Sequence, residues 1–143
     1  MDNYIIDRFD SNKYSLAELE KQRALSFGFD YKYIGSHFKN SINNNAILAY
    51  VCSLNEKIIG GAYVSDSLSS LYIEQLFVNP KYQSKGIGTA LMNYVLNDVE
   101  YLENKFNHLI LYSMLEDASH SNFYKNMGYR ESNNVMRVLK KRL

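Results

Sequence analysis

The feature that most restricts this chain lies at residues 71–99, where an apolar strand passes through a short turn into a helix that opens on two glycines. The strand reads Leu71, Tyr72, Ile73, Glu74, Gln75, Leu76, Phe77, Val78; Asn79 and Pro80 break it; Gln83, Ser84, Lys85, Gly86, Ile87 and Gly88 follow. Beyond them Ile87, Leu91, Tyr94, Val95, Val99 and Leu102 recur at three- and four-residue intervals, the spacing of an apolar stripe along a helix. Gly86 and Gly88 therefore fall at the first turn, where N–H groups lack intrahelical partners and the positive end of the helix dipole points outward. Without a Cβ, the backbone there lets a ligand come close. A helix start of this kind binds phosphate.

The strand carries an irregularity of its own. Leu71 and Ile73 share one face, but the next strongly apolar pair in phase, Leu76 and Val78, begins an odd number of residues later. A one-residue slip flips the faces of a strand, and a β-bulge accommodates it. The pattern predicts a bulge between Glu74 and Leu76, with a backbone N–H released from the ladder. Two other phosphate loops do not fit. The Walker string of Gly, four residues and Gly-Lys-Ser/Thr is absent, and the dinucleotide fingerprint needs Gly or Ala where Leu91 stands.

The whole string, apolar strand ending in Val78, turn, Gln83-Ser84-Lys85-Gly86-Ile87-Gly88 and amphipathic helix, resembles the acetyl-coenzyme-A-binding motif of the GNAT superfamily of N-acetyltransferases. That motif is an apolar strand, a short turn and Gln/Arg-x-x-Gly-x-Gly/Ala. A second likeness lies at 117–129, where Tyr124 on an expected short helix is followed by Gly128-Tyr129, similar to the family's Tyr and Gly-Phe/Tyr.

Bulk properties narrow the alternatives. With 143 residues, 46% apolar and 22% charged, the chain has the size and balance of one globular domain, 1–143. A net charge of +1 gives no electrostatic case for nucleic acid or an anionic membrane, and no run is long enough to span a bilayer. Cys52 is the only cysteine, so no intramolecular disulfide forms and the chain reads as cytoplasmic. Its apolar surroundings make it a buried, inert thiol. Three histidines without metal-type spacing predict no metal site.

Elsewhere the pattern predicts a strand over 4–9 and a helix over 16–27, started by a capping box at Ser15 and Glu18 and ended by Gly28. A second helix is expected in the aromatic segment within 27–45. Strands over 46–54 and 57–65 form a hairpin through Asn55-Glu56, with Gly60-Gly61 marking a bend or a close backbone approach. After the central strand and helix, 107–113 reads as a buried strand, parallel to the central one if the helix between them is a crossover. Asp117 and Gly128 bound a short helix, and 130–141 ends the chain as a strand or hairpin turning at Asn133-Asn134. The result is an α+β chain: a single domain with a mixed, mostly antiparallel sheet, one central parallel strand pair splayed apart, and helices on both faces. The resemblance implies the same order.

Function is implied by the resemblance as acetyl transfer from acetyl-CoA, a cosubstrate, to a primary amine attacking directly in a ternary complex. The diphosphate would rest on the N–H groups of Gln83, Ser84, Lys85, Gly86, Ile87 and Gly88, with the Thr89 hydroxyl beside them. The pantetheine arm would pair with the backbone of Leu76, Phe77 and Val78. Tyr124 matches the family's general acid for the leaving thiolate and a coenzyme contact, against the plainer reading of an aromatic packed in the core. Glu74 stands where many members place the carboxylate that accepts the amine proton; otherwise it is an exposed strand carboxylate. Asp117 replaces the Asn that commonly touches the coenzyme, which puts that contact in question. His120 lies one turn before Tyr124, as a solvated or capping residue or as a proton relay. The acceptor, a small-molecule amine or a peptide amine, would be walled by Phe27, Phe29, Tyr31, Tyr33 and Tyr63, with Glu74 at its edge. Its identity stays open, as does a homodimer, a common state among similar proteins. The rival reading is a non-catalytic coenzyme-A-binding module or sensor of the same fold.

Overall fold

The computed structural model describes residues 3–26, 38–67, 70–102, 108–113, 125–128, 130–132 and 137–142. The elements run β1 (Tyr4–Arg8), α1 (Leu16–Ser26), α2 (Lys39–Asn43), β2 (Leu48–Leu54), β3 (Lys57–Ser67), β4 (Ser70–Val78), a 3-10 turn (Pro80–Tyr82), α3 (Ile87–Leu102), β5 (His108–Ser113), β6 (Arg130–Ser132) and β7 (Arg137–Arg142). This is the predicted α+β order. Of the second helix expected within 27–45, only the short α2 is described, and 27–37 lie outside the described residues. So do the turn at Asn133-Asn134 and most of the helix expected over 117–128. At the end of that helix Gly128 has φ +95, and its N–H donates to the Lys125 carbonyl at 3.0 Å, the left-handed stop that glycine was expected to supply.

Two compact units emerge, one of Met1–Tyr63 with Gln75–Asn104, the other of Val64–Glu74 with Lys105–Leu143. In the first the strand order is β1-β2-β3-β4, with β1 antiparallel to β2 from Tyr4↔Leu54 to Arg8↔Tyr50. Asn55 (φ 50) and Glu56 (φ 68) join β2 to β3 with two left-handed residues, as a tight type I′ hairpin requires. Ser15 caps α1 by accepting the Glu18 N–H at 3.2 Å. The other half of the expected capping box is replaced, since the Glu18 carboxylate turns forward to accept from Gln22 at 3.0 Å.

Alternation along β2 and β4 divides this unit's core between two faces. Ala49, Val51 and Phe77 pack with Leu19 of α1 and Ile42 of α2, whereas Cys52, Leu76 and Val78 pack with Ile87 and Leu91 of α3. Helices therefore cover both faces of this part of the sheet. The α3 stripe is as predicted at Ile87, Leu91 and Val95, and Met92 is buried beside it. Burial pushes the Cys52 thiol up to about 12, the inert thiol expected. Farther along α3, Asp98 accepts from Arg8 at 2.7 and 3.0 Å and from the Tyr50 hydroxyl at 2.7 Å. Burial raises the Tyr50 phenol well above its ordinary value, so it stays a donor. These bonds hold α3 to β1 and β2.

β3 changes phase at its glycine pair. Ile59 packs on the α3 face, yet a Cβ on Gly61, two residues on, would face Leu19 at 3.1 Å and the Phe77 ring at 2.8 Å on the other. A Cβ on Gly60 would stand 2.7 Å from the Phe77 carbonyl oxygen. Only a side chain of zero length allows backbones so near.

In the second unit the order is β3-β4-β5-β7-β6. β4 and β5 pair in parallel from Ser70↔His108 to Ile73↔Leu111, where the register stops although both strands run on. β5 and β7 are antiparallel from His108↔Arg142 to Ser113↔Arg137, and β6 closes a hairpin on β7 from Arg130↔Lys140 to Ser132↔Val138. Among the described residues no helix is long and apolar enough to cross a membrane.

Candidate functional site

The site begins where β4 ends. Asn79 holds that junction with every group it has. Its N–H donates to the Ile59 carbonyl at 2.7 Å, its carbonyl accepts from Tyr82 at 2.8 Å, and its side-chain oxygen accepts from Lys81 at 3.0 Å. The side-chain nitrogen donates to Gln22 of α1 at 2.8 Å. Pro80 then starts the 3-10 turn, where its missing N–H costs nothing. Gln83 reaches back to donate to the Val78 carbonyl at 2.9 Å. Its side chain is thus spent on shaping the loop, and what it offers a ligand is its backbone.

The loop that follows turns through two left-handed residues: after extended Gln83 (φ −69, ψ 159), Ser84 has φ +64 and Gly86 φ +83. The first helical hydrogen bond runs from the Ala90 N–H to the Gly86 carbonyl at 3.0 Å. Gly86 is therefore the N-cap, and the amides of Ile87, Gly88 and Thr89 belong to the first turn, with no acceptor inside the helix. The Ile87 side chain is buried in the core, which seats the turn, while Gln83, Ser84, Lys85, Gly86 and Thr89 are exposed. Where a Cβ on Gly86 would stand, no atom of the described residues beyond its chain neighbours lies within 4 Å. The helix start is open, carries the positive dipole end and has the Lys85 ammonium next to it in sequence: an anion site in composition and in access.

Upstream, Phe77 is buried and only its backbone is available to a ligand, while Leu76 and Val78 are half-buried on the α3 face. The Tyr63 and Phe77 rings meet edge to face at 5.4 Å between centroids, and farther along the two strands Ser65 donates to Glu74 at 2.6 Å.

Of the residues expected to wall the acceptor, Tyr63 is placed differently from that expectation. It is fully buried, and its hydroxyl donates at 2.8 Å to Glu20, itself fully buried on α1. Glu20 also accepts from Arg23 at 2.9 Å and from the Phe38 N–H at 2.9 Å. The Arg23 guanidinium lies over the Phe38 ring at 5.1 Å, and its Nη2 has no partner. Tyr63 is thus a core residue that anchors α1 to β3, because its hydroxyl satisfies a buried carboxylate. Phe27, Phe29, Tyr31, Tyr33, Asp117, His120 and Tyr124 lie outside the described residues.

Sequence reading missed two contributors. Asn79 announced only a turn through its Asn-Pro pair. Ser65 gave no signal. Ser84 was expected in the loop, but not its left-handed backbone, since serine has no special tolerance for it.

The family model that describes an acetyltransferase (GNAT) domain matches residues 45–131, more than half of the chain. The chain belongs to the GNAT acetyltransferase family. The match takes in β3, β4, the glycine loop and α3, the elements from which the site is built. An uncharacterised N-acetyltransferase of Methanocaldococcus jannaschii is 29% identical to this GNAT chain over 90 residues, covering 57% of this chain and 38% of that protein. The chain thus matches well under half the length of that curated relative. Among solved structures, a PaiA N-acetyltransferase from Thermoplasma acidophilum in complex with coenzyme A superposes with a TM-score of 0.79 at 15% identity, over 99% of both chains. A GNAT family acetyltransferase from Elizabethkingia anophelis with acetyl-CoA bound gives 0.76 at 17% identity over 100% of both. At such identities the likeness is one of fold.

Proposed function

We propose that this GNAT chain works over 1–143 as one N-acetyltransferase domain that moves the acetyl group of acetyl-CoA to a primary amine by direct attack in a ternary complex. The observation that carries this reading is the start of α3, with Gly86 at φ +83 and, among the described residues, nothing but its chain neighbours within 4 Å of where a Cβ would stand. A diphosphate there would accept from the amides of the first turn and of the loop that leads into it. Coenzyme A or acetyl-CoA in the two solved relatives supports the same ligand here.

The pantetheine amides would pair with the backbone of Leu76, Phe77 and Val78, past the point where the β4–β5 register ends. A backbone N–H at the bulge expected between Glu74 and Leu76 would polarise the thioester carbonyl; loss of one such donor in other enzymes costs about 2.7–4 kcal/mol. As the amine nitrogen bonds to that carbon, its proton passes to Glu74. The carbon–sulfur bond breaks, and the departing thiolate takes a proton from Tyr124. A phenol with a pKa near ~10 is a suitable acid for that step.

The test follows free thiol while the protein turns over acetyl-CoA with a panel of small-molecule and peptide amines. Thiol release that depends on an amine is expected. Tyr124→Phe should slow turnover with coenzyme binding nearly intact, and equal loss of both would refute Tyr124 as the acid. A protein that binds the coenzyme but transfers to no amine would be the non-catalytic module instead.

A further inference from the structure

Glu74 is exposed on β4, where a carboxylate ordinarily samples several rotamers and forfeits conformational entropy if held in one. Here it is not left to do so. The Ser65 hydroxyl on the neighbouring strand donates to Glu74 Oε1 at 2.6 Å, within the range of short, charge-assisted O–H···O⁻ bonds. Ser65 is half-buried on β3, and a serine side chain has a single rotatable bond, so the donor is itself well placed.

We infer that Ser65 is a positioning residue for Glu74, fixing the carboxylate in the orientation from which it takes the proton of the attacking amine. The inference rests on the proposed role of Glu74 as base and adds the residue through which its geometry is set. Proton acceptance is sensitive to heavy-atom placement, since the acceptor must lie within about 2.6–3.2 Å of the proton's donor or reach it through one water. A carboxylate free to rotate would spend only part of its time there.

The test is a double-mutant cycle on the full chain with acetyl-CoA and an amine that the wild-type protein acetylates. Ser65→Ala should lower kcat by roughly three- to tenfold, the orienting effect of one hydrogen bond, while the KM for acetyl-CoA stays unchanged. Ser65→Thr, which keeps the hydroxyl on a β-branched residue suited to a strand, should restore most of the loss. In a Glu74→Gln background, Ser65→Ala should have little further effect, because there is no longer a base to orient. Equal, additive losses from Ser65→Ala in both backgrounds, or a loss that threonine does not repair, would overturn the inference. If Glu74→Gln slows turnover and Ser65→Ala does not, the base stands and the positioning role falls. If Glu74→Gln itself leaves kcat unchanged, the base assignment fails and the role of Ser65 fails with it, while amine-dependent thiol release by the wild-type protein still holds for acetyl transfer.

Discussion

The pocket of charge beneath α1 and the loop that opens α3 use polar groups in opposite ways. Around Glu20 a carboxylate, a guanidinium and a phenol are withdrawn from water, and nearly every polar atom is matched inside the protein. At the start of α3, Gln83 to Gly86 and Thr89 are exposed, and the first-turn amides of Ile87, Gly88 and Thr89 have no partner within the helix. The first arrangement contributes to the fold. The second leaves hydrogen-bonding capacity unspent, which is what an anionic ligand requires. The difference shows how one chain separates stability from binding: charges are buried only where they are paired, and donors are left open only where solvent can satisfy them until a ligand arrives.

Substitutions at the two places should therefore fail differently. Glu20→Ala removes the acceptor for three donors and leaves Arg23 buried without a counter-charge, so stability should fall by about 3–5 kcal/mol. Denaturant unfolding would show it, and a midpoint within experimental error of wild type would break the comparison. Replacing the pair together, as Glu20→Leu with Arg23→Met, should recover much of that loss, because no uncompensated charge remains. Gly86→Ala should cost about 1–2 kcal/mol from the left-handed φ of +83, with no clash added, since the space is empty. A larger loss would mean that the loop supports the core after all.

The smallest effect concerns Asp7, at the edge of the same unit. Hydrogen bonds from Lys13 at 2.8 Å and from Tyr14 at 2.6 Å, together with the Lys13 charge, hold its carboxyl below the usual range against a modest opposing effect of burial. The unfolded chain therefore takes up this proton at a higher pH than the folded one. The stabilisation from Asp7 is fully present above about pH 4 and fades as pH falls through the lowered folded value. Unfolding midpoints of wild type and Asp7→Asn should differ slightly near neutrality and converge in acid. A gap that widens in acid would contradict the assignment.

The same contrast explains what the sequence disclosed. Gly60, Gly61, Gly86 and Gly128 were legible because each conformation or close approach admits little but glycine, so residue type reports backbone geometry directly. The faces of α3 and β4 were legible from periodicity, and the Asn55-Glu56 hairpin from its spacing. The Glu20–Arg23 pair was not, because an acid and a base three apart on a helix are ordinarily solvated. In the fold Phe38 and Tyr63, brought from distant segments, donate to Glu20 in the interior. Tyr63 was assigned to the acceptor wall by family likeness, and packing against Glu20 put it in the core. The Ser65–Glu74 bond escaped notice for a related reason: it joins residues nine apart on two neighbouring strands, and residue identity at 65 carries no trace of that.

Calorimetric titration of coenzyme A into the wild-type protein and into Gly86→Asp tests the central claim most directly. The account predicts saturable heat for wild type, weakened by added salt, and at least a tenfold weaker affinity for the variant, about 1.4 kcal/mol or more, in a protein whose circular dichroism is unchanged. No heat with the wild type, or equal affinity in a folded Gly86→Asp protein, would contradict it.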